Sequence, residues 1–233
     1  MIGDHRVLAV LAGRGGSKGL PRKNVLDLGG KPLVAWSVAA ANASALLDRC
    51  IVSTDDKEIA DAARAAGGDV PFMRPDNLAT DTASIIDVMV DALDQLDESF
   101  DITVLLQATS PFRTGRDIDD CIARLVEARA DSCVSFTEMV KPPSFAVHIG
   151  DDNRIQPMEG SALLKRRQDE AKFYIPNGAV YAVWTDYLRR ERRVYADDTA
   201  AITMPPERAI DVDTKLDMEI ARGLLTRPGV IAD

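Results

Sequence analysis

Four cations, Arg14, Lys18, Arg22 and Lys23, fall within ten residues of a glycine-rich stretch, LAGRGGSKGLPRKN at residues 11–24. Glycines at 13, 15, 16 and 19 let the backbone turn tightly and approach a ligand without Cβ collisions. Ser17 and Asn24 add polar side chains. A loop with free N–H groups and clustered cations suits a polyphosphate. The pattern is not G-x-x-x-x-G-K-[ST], and a G-x-G-x-x-G reading from Gly13 puts Lys18 where the last glycine belongs. A mobile, basic surface turn is the competing reading. The density of Arg, Lys, Ser and Asn around the glycines favours phosphate.

A second group lies near the other end of the chain. Asp211 and Asp213 are two apart in residues 209–213, which read as extended backbone. In a strand, positions i and i+2 share a face. Two carboxylates on one face beside a polyphosphate loop form a magnesium anchor, the rest of the shell coming from phosphate oxygens and water. Asp213 also precedes Thr214, Lys215 and Leu216, so capping the next helix is an alternative for it. Capping leaves Asp211 unexplained.

The elements that must hold these groups read as a βα alternation. Residues 7–11 form a buried strand that empties into the loop. A helix spans about 32–43, with Pro32 in its first turn after Gly29 and Gly30. A strand follows at 49–53, then a helix capped by Asp55 and running to Ala66, stopped by Gly67 and Gly68. A short strand is expected at 69–73, before Arg74 and Pro75. Asp81 or Thr82 caps a helix whose Ile85, Ile86, Met89, Val90, Leu93 and Leu96 make one apolar stripe. A strand at 102–106, a helix at 116–128 and a strand at 132–137 continue the pattern. Alternation of this kind argues for an α/β fold, a mostly parallel sheet with helices on both faces. Ligands of such sheets bind beyond the carboxyl ends of the strands, so the loop, Asp55, Arg74 and residues 107–110 should meet on one rim.

The alternation breaks at Thr137. Lys141, Pro142 and Pro143 precede strands at 145–149 and 154–157, and a basic run, Lys165, Arg166, Arg167, Gln168 and Asp169, follows. A charge run is usually a solvated face. Residues 179–184 re-enter the sheet, Asn177 and Gly178 making a polar turn at the pocket edge. A late strand at 201–204 and an amphipathic helix at 214–225 close the chain.

Length and composition bound the rest. At 233 residues, one domain spanning 1–233 is the simplest reading. A hydrophobic fraction of 46% supplies a sizeable core. A net charge of −9 argues against nucleic acid or an anionic membrane as partner. Cys50, Cys121 and Cys133 lack metal-binding spacing and read as buried thiols of a cytoplasmic protein. His5 and His148 are isolated, and neither is given a catalytic role.

The sequence resembles the acylneuraminate cytidylyltransferases, the CMP-sialic acid synthetases. Residues 15–24, GGSKGLPRKN, carry the likeness. It continues at Ser53, Thr54 and Asp55, at Arg74 and Pro75, at Asp81, Thr82, Ala83 and Ser84, and at Gln107, Ala108, Thr109, Ser110, Pro111 and Arg113. Arg167 with Gln168, residues 177–181 and residues 211–213 complete it, in the family's order from about 6 to 225. Ala108 departs from the family's usual proline, and Ser144 stands where some members have lysine.

The resemblance implies a Rossmann-like nucleotidyltransferase that couples CTP to an acidic nine-carbon sugar, releasing pyrophosphate, with Mg2+ on Asp211 and Asp213. It implies that Arg14 and Lys18 cradle the β- and γ-phosphates and that Lys23 sits nearer the α-phosphate. Leu11, Ala12 and Gly13 select cytosine, with Arg74 and Ser84 nearby, and Gly16, Ser17 and Asn24 complete the nucleotide site. Gln107, Thr109, Ser110, Arg167 and Asn177 bind the sugar. Residues 138–176 become an inserted arm that makes a homodimer and helps form the sugar pocket. The nearest rivals are a nucleotidylyltransferase for an eight-carbon keto-acid sugar or a sugar phosphate, and a non-catalytic nucleotide-binding module.

Overall fold

The computed structural model describes residues 2–158, 171–227 and 230. Its central strand, β1 (Val7–Ala12), sends Val7, Ala9 and Leu11 into one apolar core and Leu8 and Val10 into another. Burial on both faces is why this segment reads as an unbroken apolar run rather than an alternating one. Beyond the loop, β2 (Asp27–Leu28) and β3 (Lys31–Pro32) form a small hairpin turned by Gly29 and Gly30, at φ 64° and 90°. Those two glycines thus close a hairpin instead of opening a helix. Helix α1 (Leu33–Asn42) starts directly after it, with Pro32 as the extended cap residue.

β4 (Arg49–Ser53) leads to α2 (Lys57–Ala65), whose cap is Asp56 and not the expected Asp55: the Asp56 side chain accepts from the Ile59 amide. Instead of a strand at 69–73 there is one bridge, Ile51 to Asp69. α3 (Ile85–Asp94) is capped by Ser84, which corrects the expectation of Asp81 or Thr82. β5 (Ile102–Gln107), α4 (Gly115–Ala128) and β6 (Ser132–Glu138) follow within a residue or so of their expected bounds. The excursion after β6 carries a two-stranded hairpin, β7 (Val147–Ile149) and β8 (Ile155–Pro157). The basic run at 165–169 lies outside the described residues.

β9 (Tyr174–Trp184) returns to the sheet. Asn177 and Gly178 lie inside it, at a register shift against β6, so the expected polar turn is a strand irregularity with Gly178 at φ 76°. A short helix that the sequence does not announce, α5 (Thr185–Glu191), precedes β10 (Thr199–Met204). The stretch expected to be extended at 209–213 is irregular backbone after a 3-10 turn, Pro206–Arg208, and α6 (Lys215–Leu224) is the last regular element among the described residues.

The six-stranded sheet runs β10-β6-β9-β5-β1-β4. Every neighbouring pair is parallel except those made by β9, which is antiparallel to both β5 and β6. α1, α2 and α4 pack on one face, and α3 and α5 on the other. A third cluster joins α6 to the small hairpin through Leu28, Trp36, Phe112 and Val212. The fold is therefore the expected α/β sheet covered on both sides. Among the described residues no helix is long and apolar enough to cross a membrane.

Candidate active site

The loop is pinned at the carboxyl end of β1. The Gly13 amide donates to the Ser53 carbonyl at 3.2 Å, the Gly15 amide to Asp55 Oδ1 at 3.0 Å and the Ser17 amide to the Gly15 carbonyl at 3.0 Å. Three of the loop's amides are thus engaged within the protein, which shifts the weight of anion binding to its cations. Gly15 has no alternative, because a Cβ there would lie 2.8 Å from Asp56 Oδ2. Asn24 is buried beneath the loop, and its Nδ2 donates to the Arg14 carbonyl at 3.0 Å. Arg14 and Lys18 project across to one carboxylate, that of Asp81, at 2.7 and 2.5 Å.

The late aspartates meet this loop directly. A Cβ on Gly19 would come within 2.5 Å of the Asp213 carbonyl oxygen, and Lys23 Nζ lies 2.5 Å from Asp213 Oδ1. The intervening Val212 amide donates to the Thr109 carbonyl at 2.8 Å, which ties the segment to the end of β5. Capping of α6 does not consume Asp213. Thr214 and Asp217 make that capping box, and the Asp217 carboxylate also accepts from the Asp213 amide.

Asp211 sits deeper. Its Oδ1 is buried with no hydrogen-bond partner among the described residues. Burial pushes its carboxyl above the usual range, the Thr109 hydroxyl pulling the other way and Asp213 adding to the rise. Asp211 Oδ2 and Gln107 Oε1 flank Gly178, lying 3.5 and 3.3 Å from the position its Cβ would take. A buried carboxylate oxygen without a donor, beside a second, exposed carboxylate, suits a hard cation with oxygen ligands. No group of three or more His, Cys, Asp or Glu is arranged to hold a metal among the described residues. Such an ion would therefore take its remaining ligands from substrate and water.

A cleft of about 580 Å3 lies between the two groups. Twelve of the expected residues line it: Ala12, Gly13, Arg14, Ser17, Lys18, Lys23, Asn24, Arg74, Gln107, Thr109, Asp211 and Asp213. Arg74 is buried; its Nε donates to Ser53 Oγ at 3.0 Å and its Nη2 to the Ser53 carbonyl at 2.5 Å. Burial lowers the pKa of that guanidinium, and Asp55 opposes the shift.

The other expected residues stand apart from the cleft wall. Leu11 is buried in β1, and Gly16 borders an adjoining outer chamber of about 400 Å3. Ser84 caps α3 by accepting from the Ile86 amide at 3.2 Å. Ser110 is buried, and its hydroxyl has no partner among the described residues. Asn177 is buried too: its Oδ1 accepts from Ser135 Oγ at 2.6 Å and from the Ala179 amide at 3.1 Å. Arg167 lies outside the described residues.

Sequence reasoning missed Leu78, Thr80 and Val88 as lining residues, and it read Asp81 as a helix cap. The signal for Asp81 was its place three residues before Ser84. That spacing suits a loop residue when Ser84 is itself the cap.

The cleft opens beyond the carboxyl ends of β1 and β5, where open α/β sheets bind their ligands. The model of the cytidylyltransferase family matches residues 8–221, and the chain belongs to that family; it is a nucleotidyltransferase. It is 34% identical over 224 residues to the CMP-N,N'-diacetyllegionaminic acid synthase of Legionella pneumophila, covering 94% of this chain and 96% of that one. The pseudaminic acid cytidylyltransferase of Campylobacter jejuni is 29% identical, with 92% and 94% covered. The N-acylneuraminate cytidylyltransferase of Streptococcus agalactiae is 34% identical, but this chain spans 51% of its length. The fold is that of a CMP:2-keto-3-deoxy-manno-octonic acid synthetase solved with CTP, at TM-score 0.71 and 20% identity over 94% of this chain and 98% of that one.

Proposed function

We propose that this cytidylyltransferase couples CTP to a sialic-acid-like nonulosonic acid. The anomeric hydroxyl of the sugar attacks the α-phosphorus, the bond to the β-phosphate oxygen breaks, and pyrophosphate leaves with CMP-sugar as the product. The observation that carries this reading is the contact of the early cationic loop with the late aspartates, through Gly19 and Lys23 to Asp213. Full-length similarity to enzymes named for legionaminic and pseudaminic acids supports the choice of acceptor.

Nucleotidyl transfer asks the protein mainly for alignment and charge neutralisation. Arg14 and Lys18 hold the β- and γ-phosphates, and Lys23 the α-phosphate, leaving Asp213 when the nucleotide enters. Gly16, Ser17 and Asn24 shape the loop around them. Arg74 and the backbone of residues 11–13 bound the base. The Ser84 hydroxyl, which accepts from Ile86, keeps its proton to donate to the cytosine carbonyl. Gln107 and Thr109 face the acceptor, Ser110, Asn177 and Gly178 support that wall, and Arg167 pairs with the sugar carboxylate. Asp211 and Asp213 would hold Mg2+, which supplies charge neutralisation on the phosphates and acidifies the attacking hydroxyl.

The excursion leaving β6 and returning through β9 exposes Val140, Ile149, Ile155, Met158, Tyr174 and Ile175. We assign residues 138–176 as the arm of a homodimer, since large apolar side chains left exposed along one excursion suit burial against a second copy. Three free thiols suit a cytoplasmic enzyme. A pyrophosphate-release assay with CTP, UTP, ATP and GTP against nonulosonic acids, an eight-carbon keto acid and sugar phosphates tests the reading, with mass spectrometry of the product. Release that requires CTP and a nine-carbon acid supports it. Release with the eight-carbon acid or a sugar phosphate alone replaces it, and saturable CTP binding without release makes the chain a binding module.

A further inference from the structure

We propose that Asp81 is the resident counter-ion of the phosphate loop: its carboxylate holds Arg14 and Lys18 until a polyphosphate displaces it, and returns to them as pyrophosphate leaves. This rests on the reading of Arg14 and Lys18 as ligands of the β- and γ-phosphates. The two cations share the one carboxylate, an oxygen each, Oδ1 for Arg14 and Oδ2 for Lys18. Asp81 thus occupies the position where an incoming anion would bridge them. It is not needed to start α3, because Ser84 supplies that cap.

Its place in the fold fits an exchange. Asp81 borders both the main cleft and the outer chamber lined by Gly16 and Ser17, so it stands at the junction of the two. The segment that carries it contributes Leu78, Thr80 and Ala83 to the cleft wall. All three partners are partly exposed, at 32% for Arg14, 76% for Lys18 and 41% for Asp81. Ion pairs in such settings are weak and salt-sensitive, as a counter-ion that must let go requires. Two cations facing one carboxylate keep a net positive charge, which a multiply charged polyphosphate neutralises better than a single carboxylate does. Ligands that reach only the base pocket do not compete with Asp81.

Calorimetry at low salt, with magnesium pyrophosphate, CTP and cytidine titrated into the wild type, Asp81→Asn and Lys18→Met, tests this. Asp81→Asn should bind pyrophosphate and CTP roughly threefold to tenfold tighter, an advantage that shrinks as salt is raised. Cytidine affinity should stay unchanged, and pyrophosphate should become a stronger product inhibitor. If Asp81→Asn binds pyrophosphate no tighter, or more weakly, while Lys18→Met weakens it, Asp81 only props the loop and the proposal is overturned. If Lys18→Met leaves pyrophosphate binding untouched, the assignment of the loop cations fails, and the counter-ion falls with it.

Discussion

The two walls of the cleft solve opposite problems. The loop wall is partly exposed and its cations are paired: Arg14, Lys18 and Lys23 all rest against carboxylates, two of them sharing Asp81, and close approaches at glycine constrain its backbone. The opposite wall, built from Gln107, Thr109, Gly178 and Asp211, is desolvated. It carries the Asp211 oxygen, and the buried Arg113 guanidinium lies behind it; the Asp211 oxygen and Arg113 Nε and Nη2 have no partners among the described residues. Exposed charges exchange partners cheaply, whereas buried polar groups hold one geometry or cost stability. The loop is thus suited to grasp and release a nucleotide, and the far wall to fix the positions that the proposed function gives the acceptor and a metal ion.

Asp211→Asn should break this contrast most sharply. It should lower kcat about 100- to 1000-fold, the usual loss of one charge-stabilising group. Because a buried, underpartnered charge is removed, Tm should rise by about 2–4 °C. A differential scanning and turnover experiment on one preparation reads both. A fall in Tm would show that the buried carboxylate stabilises the fold.

Gly19→Ala comes next. Its Cβ meets backbone, the Asp213 carbonyl at 2.5 Å, so loop and aspartates must separate. A displacement of about 1 Å at a reacting centre costs roughly 100-fold, and kcat should fall by that order. Gly223→Ala, on α6 and away from the cleft lining, is the internal control: among the described residues nothing lies within 4 Å of its Cβ position, and its turnover should stay within about twofold. Equal effects from the two alanines would mean that the loop–aspartate contact has no part in the chemistry.

Arg113 sharpens the other half. Its Nη1 donates to the Gln107 carbonyl at 3.1 Å and to the Ala179 carbonyl at 2.7 Å, joining β5 to β9 immediately after Gly178. Burial lowers its pKa to about 10, which leaves it charged at neutral pH. Arg113→Lys keeps the charge and loses the fork. It should raise the acceptor KM by about tenfold, with the CTP KM nearly unchanged. A matched rise in both would place Arg113 in the general support of the sheet instead.

Legibility in the sequence followed the same divide. Strands buried on both faces, such as β1 and β5, and helices with one apolar stripe, such as α3, announced themselves because burial repeats with their geometry. Failures came where nearby residues that could each cap a helix take different tasks. Asp55 holds the loop while Asp56 caps α2, and Asp81 binds cations while Ser84 caps α3. Composition cannot separate such pairs; only the backbone's path does. α5 was invisible because its sequence, TDYLRRE, gives only Tyr187 and Leu188 to the apolar core. Asp211 and Asp213 were found through an i, i+2 argument, yet they lie in irregular backbone. Both face the cleft because Val212 between them is buried and anchored to Thr109.

The smallest expected effect separates two roles that coincide at Ser84. Its hydroxyl oxygen accepts from the Ile86 amide and caps α3, and the role proposed for it toward the base would use its remaining proton. Ser84→Ala removes both, which should cost about 1 kcal/mol of stability and lower CTP affinity by a fewfold. Ser84→Asp keeps a good cap but offers no donor and adds a negative charge to the cleft rim. It should retain the wild-type Tm while binding CTP more weakly than Ser84→Ala. If the aspartate variant matches wild type in both Tm and CTP affinity, the serine acts on the helix alone. The base would then be read from the loop wall, by Arg74 and the backbone beyond β1.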